Sequence, residues 1–413
     1  MLAASARLLA APVLSFLALS SAASAPARAE HFRFEEQRVP VGASGPYAAV
    51  VGDFTGDGLE DLFVSVDQGV RLLTRKGPRE FAPSYSFDLD LPRGLATADF
   101  DENGRLDVAV TVRDGVAVFL ADGKGGFETR FHEAGFVPFS VATADLDGDG
   151  HADLAVANEA NTMPWERDEV TVLFGDGKGG VRRLLALLAG DNPSDVRVAD
   201  LDRDGRPDLV SANWASADLS VFRNLGGRFG EELRLRPGEP APVYAVATAD
   251  LDGDGDGDIV AGHAGGGVRA FLQVRPFVFE PGPWGRAGVG LRSVAVADLD
   301  GDGLPDVATA NTSANSVSLL RGDGKGGFAP SVPLAVGERP RTVALADLDG
   351  DGPTDLVVAN LGSGDLSLLW NRSSEGAAGR EAGDEGKRGA PTPRSGDGEK
   401  VAPEKRNPEL GRR

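Results

Sequence analysis

Short apolar runs with a period of two recur from about residue 48 to residue 370, each following a stretch where aspartate and glycine crowd out every large side chain. Asp61–Val66 reads DLFVSV, Asp153–Asn158 reads DLAVAN and Asp355–Asn360 reads DLVVAN. Side chains on a strand alternate between its two faces, so these runs predict strands. A second run of the type Val317–Leu320 follows, then a turn such as Gly322-Asp-Gly-Lys-Gly-Gly-Phe328. The turn returns as Asp122–Phe127 and Asp176–Gly180, and Asp-Gly between apolar runs is a strong hairpin signal. An outer strand and a connector rich in Pro and Gly complete a unit of four strands, in which no helical period is visible.

The acidic stretch inside each unit is a nine-residue loop that starts at Asp53, Asp99, Asp145, Asp200, Asp250, Asp298 and Asp347. Successive starts lie 46, 46, 55, 50, 48 and 49 residues apart. Self-similarity at this period in a chain of strands signals a propeller or a solenoid. Seven units of four strands predict an all-β, seven-bladed propeller. The seventh unit ends after its third strand, near Trp370. Its missing outer strand is found at the other end of the chain, where Phe34–Gly42 resembles the outer strand Phe328–Gly337. An N-terminal strand that completes the last blade would close the ring and remove its exposed edges.

The loops carry oxygen ligands at their first, third, fifth and ninth positions. These are Asp53, Thr55, Asp57 and Asp61; Asp99, Asp101, Asn103 and Asp107; Asp145, Asp147, Asp149 and Asp153; Asp200, Asp202, Asp204 and Asp208; Asp250, Asp252, Asp254 and Asp258; Asp298, Asp300, Asp302 and Asp306; and Asp347, Asp349, Asp351 and Asp355. Calcium takes six to eight oxygens, and a loop with an acid at every other residue can wrap them round one ion. Glycine at the sixth position allows the sharp turn. The spacing matches the first half of an EF-hand loop, but the glutamate at position 12 is missing, so the ninth-position Asp would have to close the shell. A lone Asp-Gly is ordinarily a turn. Four unneutralised carboxylates drawn together would repel by several kcal/mol at intermediate dielectric, which favours a cation in up to seven loops. The first loop, with a hydroxyl at its third position, should be the weakest. The seventh-position Asp256 is expected to point to solvent, and the recurrent Asn158, Asn213, Asn311 and Asn360 read as turn formers at strand ends.

Composition fits this picture. The 413 residues include 56 Gly but no Cys, and the formal net charge is −21. The loops place 26 aspartates at ligand positions, so much of the acidity would serve metal binding, and seven Ca²⁺ ions would cancel two thirds of the excess. No basic patch suited to nucleic acid is visible. Residues 1–29 read as a secretory signal peptide, with Arg7, the apolar stretch Leu8–Leu19, and small residues at Ala23-Ser-Ala25 or Ala27-Arg-Ala29 for cleavage. With no second apolar span the mature chain has nothing to cross a membrane, and a secreted protein, periplasmic or extracellular, is expected. Residues 30–371 form the propeller, and residues 372–413, polar and nearly free of apolar side chains, read as a disordered tail. A monomer is expected.

The repeats resemble FG-GAP/VCBS repeats, the blades of integrin alpha-subunit propellers and of many exported proteins. Val294–Val307, followed by Val317–Leu320 and Gly326-Gly-Phe328, carries the resemblance most clearly, and it extends over about residues 32 to 370. It implies Ca²⁺ in the loops joining the first and second strands of each blade, with ligands on the opposite face. Strand alternation separates the same two faces. The non-metal face is expected to display Trp165, within the insertion Glu159–Glu169 of unit three, Trp214 after Asn213, and Trp284 in the connector after unit five. Exposed aromatics suit sugar stacking or a protein hot spot, although each Trp could instead pack on its own blade edge. His31, His132, His151 and His263 are scattered without triad or metal spacing. The expected function is a non-enzymatic binding or adhesion scaffold for an extracellular protein or glycan. A lectin-like carbohydrate-binding propeller is the alternative, and an extracellular hydrolase or lyase stands behind it.

Overall fold

The computed structural model describes residues 31–159, 168–238 and 241–373. The leader 1–29, Trp165 with most of the insertion in unit three, and the tail beyond Ser373 lie outside the described residues. Twenty-eight strands form seven four-stranded antiparallel sheets, and the described residues contain no helix. Blades 1 to 6 run Ala48–Phe87, Leu95–Glu133, Pro138–Leu188, Pro193–Leu235, Val243–Arg286 and Leu291–Ala335. Blade 7 takes three strands from Pro340–Asn371 and its outer strand from Phe34–Pro40. That outer strand pairs from Phe34 with Asn371 to Pro40 with Asp365, as the sequence predicts.

Packing shows why the ring closes. Seven hydrophobic clusters are present, and each joins two neighbouring blades. An open array of seven blades would have only six such interfaces. The seventh joins blade 7 to blade 1 through Val39, Val41, Leu62, Val64, Val357, Leu366 and Trp370. Second strands are flanked by a blade on each side, so Asp61–Val66, Asp153–Asn158 and Asp355–Asn360 are buried on both faces. This accounts for their nearly continuous apolar character, which simple alternation does not. Outer strands such as Val181–Leu188 alternate between half-buried and exposed.

The recurrent asparagines are buried last residues of the second strands, with partners inside the sheet. Nδ2 of Asn213, Asn311 and Asn360 donates to Ser220, Ser318 and Ser367 Oγ at 2.9 Å in each case, and Nδ2 of Asn158 donates to Thr171 Oγ1 at 2.8 Å. They still sit at the turns into the third strands, but they also link second and third strands across the hairpin.

Candidate metal centre

Each acidic loop joins a first strand to a second, and its ninth-position Asp is the first residue of the second strand. Position 6 is glycine with φ between 80° and 102° in all seven loops. At Gly58, Gly104, Gly150, Gly205, Gly303 and Gly352 a Cβ would meet nothing within 4 Å. The demand is therefore for left-handed backbone and not for space. The first-position carboxylate organises the turn. In loop 6, Asp298 Oδ1 accepts from Gly301 N at 2.7 Å, and Oδ2 from Gly303 N at 2.8 Å. Loop 5 is more open, and Asp250 accepts only from Gly253 N, at 2.8 Å.

The ninth-position Asp does more than the sequence reading assigned to it. Asp107, Asp153, Asp208, Asp258, Asp306 and Asp355 are fully buried. One oxygen accepts from the backbone N–H of position 2, at 2.8 to 3.0 Å. The other accepts from a backbone N–H at the end of the third strand, at 2.7 to 2.8 Å. The side chain thus ties its loop to its sheet. Burial pushes the carboxyl up to about 6 in five of these residues and to about 7 in Asp306, against the two N–H donors. The unfolded value is about 3.9. Between that value and 6 to 7 the folded chain holds more protons than the unfolded one, so stability from these groups is full below about pH 4 and falls as pH rises through 6 to 7. Protein stripped of divalent ions is expected to melt higher at pH 5 than at pH 7.5 in calorimetry. Saturating calcium should shrink or reverse that difference, since it binds the deprotonated ligands. A stripped sample that melts higher at pH 7.5 would contradict this assignment.

The oxygens of Asp99, Asp101 and Asp107 lie within 4.8 Å of one another, as do those of Asp145, Asp147 and Asp153, and of Asp200, Asp202 and Asp208. The same holds for Asp250, Asp252 and Asp254, and for Asp298, Asp300 and Asp302. Two oxygens bound to one Ca²⁺ at ~2.4 Å are at most ~4.8 Å apart, so these sets are compact enough to share an ion. Orphaned atoms point the same way. Asp202 Oδ1 and Asp349 Oδ1 are buried without a hydrogen-bond partner. Unpaired buried acceptors are costly, and a hard cation would satisfy them. The residues therefore fit calcium.

Sequence reasoning missed the cations already beside these loops. Arg182 bridges Asp147 and Asp149 in loop 3, with its contact to Asp147 at 2.8 Å. Arg223 contacts Asp202 at 2.5 Å and Asp204 at 3.3 Å in loop 4. Arg321 meets Asp300 at 2.8 Å and also Asp302 in loop 6, while Arg372 meets Asp349 at 2.8 Å and also Asp351 in loop 7. Loop 5 has no such partner on Asp250, Asp252 or Asp254 among the described residues. Asp256 does not stand free in solvent. It is half-buried, 3.9 Å from Arg203 of loop 4.

Neighbouring blades also grip the loops. The carbonyl of position 2 accepts from the next blade at Phe100 (Gly179 N, 2.8 Å), Leu146 (Gly227 N, 3.0 Å) and Leu251 (Gly326 N, 3.1 Å). Leu201 receives Gln273 Nε2 at 2.5 Å, Leu299 receives Asn371 Nδ2 at 3.0 Å, and Leu348 receives Arg75. Loop order and blade packing are therefore mechanically linked.

On the opposite face the two described tryptophans are each packed against protein groups. Trp284 lies in the outer strand Val278–Arg286 of blade 5 and not in the connector. Its ring meets the edge of His263 at 4.7 Å and carries the Arg269 guanidinium 5.0 Å from its centroid. Trp214 stacks on Tyr244 of the next blade, with centroids 5.9 Å apart and planes at 6°, and donates Nε1 to Glu159 of blade 3 at 2.6 Å. Both are half-buried and bonded within the ring.

A ring of β blades with an aspartate-rich loop on each defines a repeat propeller. The FG-GAP-like repeat matches residues 53–110, 99–156, 200–261, 250–309 and 298–358, and the FG-GAP repeat matches 137–178. The chain belongs to the FG-GAP repeat family. No curated protein matches it. Among solved structures, it is similar to an Agrocybe aegerita lectin described as recognising non-reducing terminal N-acetylglucosamine. That match has 22% identity and a TM-score of 0.50, and covers 78% of this chain and 87% of the lectin. BBS1N, solved in complex with ARL6DN, is similar at 12% identity and TM-score 0.59, covering 83% of this chain and 97% of that one. At these identities the likeness concerns the fold.

Proposed function

We propose that this protein is an exported, calcium-binding propeller that serves as a non-enzymatic binding or adhesion scaffold, with metal on the loop face and an extracellular partner on the other. The observation that supports it most is the set of loop oxygens close enough to share one ion, with a buried oxygen of Asp202 in one set left without a hydrogen-bond partner. Calcium would supply a fixed positive charge that the aspartates surround, and the loops would then hold the blade ends in place. Affinity in the extracellular range of about 10⁻⁴ to 10⁻³ M, or tighter in the acid-rich loops, is expected. Equilibrium dialysis against ⁴⁵Ca²⁺ tests this directly. Several ions bound per chain would support the reading, and none at millimolar calcium would end it.

The lectin-like reading draws on the Agrocybe aegerita neighbour and on the tryptophans of the face away from the acidic loops. The packing of Trp214 and Trp284 favours the scaffold instead, since both rings are already engaged by protein groups. Trp214→Ala is accordingly expected to cost about 1–3 kcal/mol of stability through the lost stacking and hydrogen bond. A denaturant melt paired with a glycan array measures both effects. Sugar binding by the native protein that vanishes in a Trp214→Ala variant of unchanged stability would restore the lectin.

A further inference from the structure

The first strands begin on the face away from the acidic loops, and their opening residues line a cavity of about 270 Å³ at the centre of the ring. Its lining includes Tyr47, Phe139, Tyr244, Arg197, Arg292 and Arg341, drawn from blades 1, 3, 4, 5, 6 and 7. The arginines lie against aromatic faces. Arg292 sits 3.6 Å from the Tyr244 centroid, Arg341 4.6 Å from Tyr47, and Arg93, at the rim, 4.5 Å from Phe139. Stacking occupies the flat face of a guanidinium and leaves its in-plane N–H groups to donate.

Two of these four charges are balanced. Arg197 pairs with Asp195 at 3.3 Å, and Arg93 with Glu159 at 3.5 Å. Arg341 donates to the Tyr47 hydroxyl, and neither Arg341 nor Arg292 has a carboxylate within 4.0 Å among the described residues. Arg292 Nε is buried without a hydrogen-bond partner. Several hydroxyls around the cavity are engaged by the ring itself. Ser194 donates to Tyr244 O at 3.2 Å, Thr342 to Tyr47 O at 3.2 Å, and Ser293 Oγ accepts from Val343 N at 3.3 Å. The charged groups left to meet a guest are a pair of partly desolvated guanidinium forks, in a chain whose net charge is −21.

We infer that this central cavity is a binding site for a small oxyanion, a carboxylate or a phosphate ester, held by Arg292 and Arg341. Guanidinium binds either group through two parallel N–H···O bonds, and such charge-assisted bonds are roughly twice as strong as those a neutral sugar could make in the same place. The size, near the lower end of the roughly 300–1,000 Å³ range of ligand pockets, suits one sugar-acid or dicarboxylate and not a polymer segment. This deepens, and rests on, the reading of this face as the partner's.

Calorimetric titration of the mature protein at low ionic strength tests it, with glucuronate, succinate, inorganic phosphate and neutral glucose as probes and calcium kept below the level that precipitates phosphate. Saturable one-site binding of an anion, with none of glucose, is expected. Preference for the carboxylates or for phosphate tells which group the site takes. Arg292→Gln with Arg341→Gln should weaken binding by about tenfold or more while the calcium-dependent melt stays as it was. Should that pair fail to fold, Arg292→Lys with Arg341→Lys keeps the charge and removes the forks, and a loss of several-fold is expected. No saturable anion binding, glucose binding as tight as the anions, or unchanged affinity in a folded double variant would overturn the inference. Failure here with a retained calcium shift leaves the scaffold reading intact, and a lost calcium shift with anion binding retained does the reverse.

Discussion

Protein stripped of divalent cations is expected to melt about 10 °C or more below the same protein in millimolar calcium. In millimolar calcium a loop with a dissociation constant of about 10⁻⁴ M adds about 1.4 kcal/mol of stability. A propeller of this size, with an unfolding entropy of about 0.7 kcal/mol/K, shifts by roughly 1.4 °C for each kcal/mol. Filling the five loops with four aspartates therefore supplies the shift. The ninth-position acids, raised to about 6 by burial, show that the acidic loops carry a cost at neutral pH that a cation would offset. The loops should not contribute equally. In loops 3, 4, 6 and 7 an arginine already lies on the third- and fifth-position carboxylates, and an entering ion must displace or share those contacts. Loop 5 keeps Asp250, Asp252 and Asp254 together with no arginine between them. Asp254→Asn should therefore remove more of the calcium shift than Asp302→Asn, in which Arg321 still faces Asp300. Scanning calorimetry of the three proteins, stripped and calcium-loaded, decides it. Identical melts for the native protein in both conditions would remove calcium from the structural account, and equal losses in the two variants would remove the ranking.

Deletion of residues 31–40 should be the most damaging change of its length. It strips seven residue pairs from the strand Asp365–Asn371 and leaves that strand as an open edge. It uncovers Trp370, otherwise fully buried with Nε1 donating to Gln37 Oε1 at 3.1 Å, and it empties the place of Val39 in the joint between blades 7 and 1. Losing a strand, a buried aromatic contact and part of one core costs on the order of 5 kcal/mol or more, comparable with the 5–15 kcal/mol margin of a typical domain. Size-exclusion chromatography should show association through the open edge, and circular dichroism a melt that is early and broad. A monomer that melts within a few degrees of the native protein would show the ring to be held elsewhere.

Much of this architecture was legible because a repeat states its own rules seven times. The loop period, the sixth-position glycines with positive φ and the displaced strand Phe34–Pro40 all follow from local pattern, and local pattern is what a sequence displays. What was missed depends on partners far apart in the chain. Arg321 follows a strand end 19 residues after Asp302, and nothing in its surroundings announces that it turns back onto the loop. The ninth-position Asp reads as one more ligand until the backbone N–H groups of two different segments are seen on its oxygens. Trp284 was placed in a connector because Pro283 and Gly285 read as loop residues, yet an outer strand tolerates both. The arginines at the central mouth come from blades scattered across some 250 residues, and only ring closure makes them neighbours.

The joint in blade 7 has a consequence for the order in which the molecule is made. Phe34–Pro40 is among the first parts of the propeller to leave the ribosome, and its partner Asp365–Asn371 is the last. Ser367 and Glu36, 331 positions apart in the chain, hydrogen-bond at 2.8 Å only once everything between them exists. The earliest-made strand must therefore wait unpaired through the synthesis of the whole ring, and no blade-by-blade assembly is complete until it returns. During that wait the strand of one chain is free to complete the last blade of another. Closure within one chain then competes with a swapped pair, and dilution favours the closed monomer.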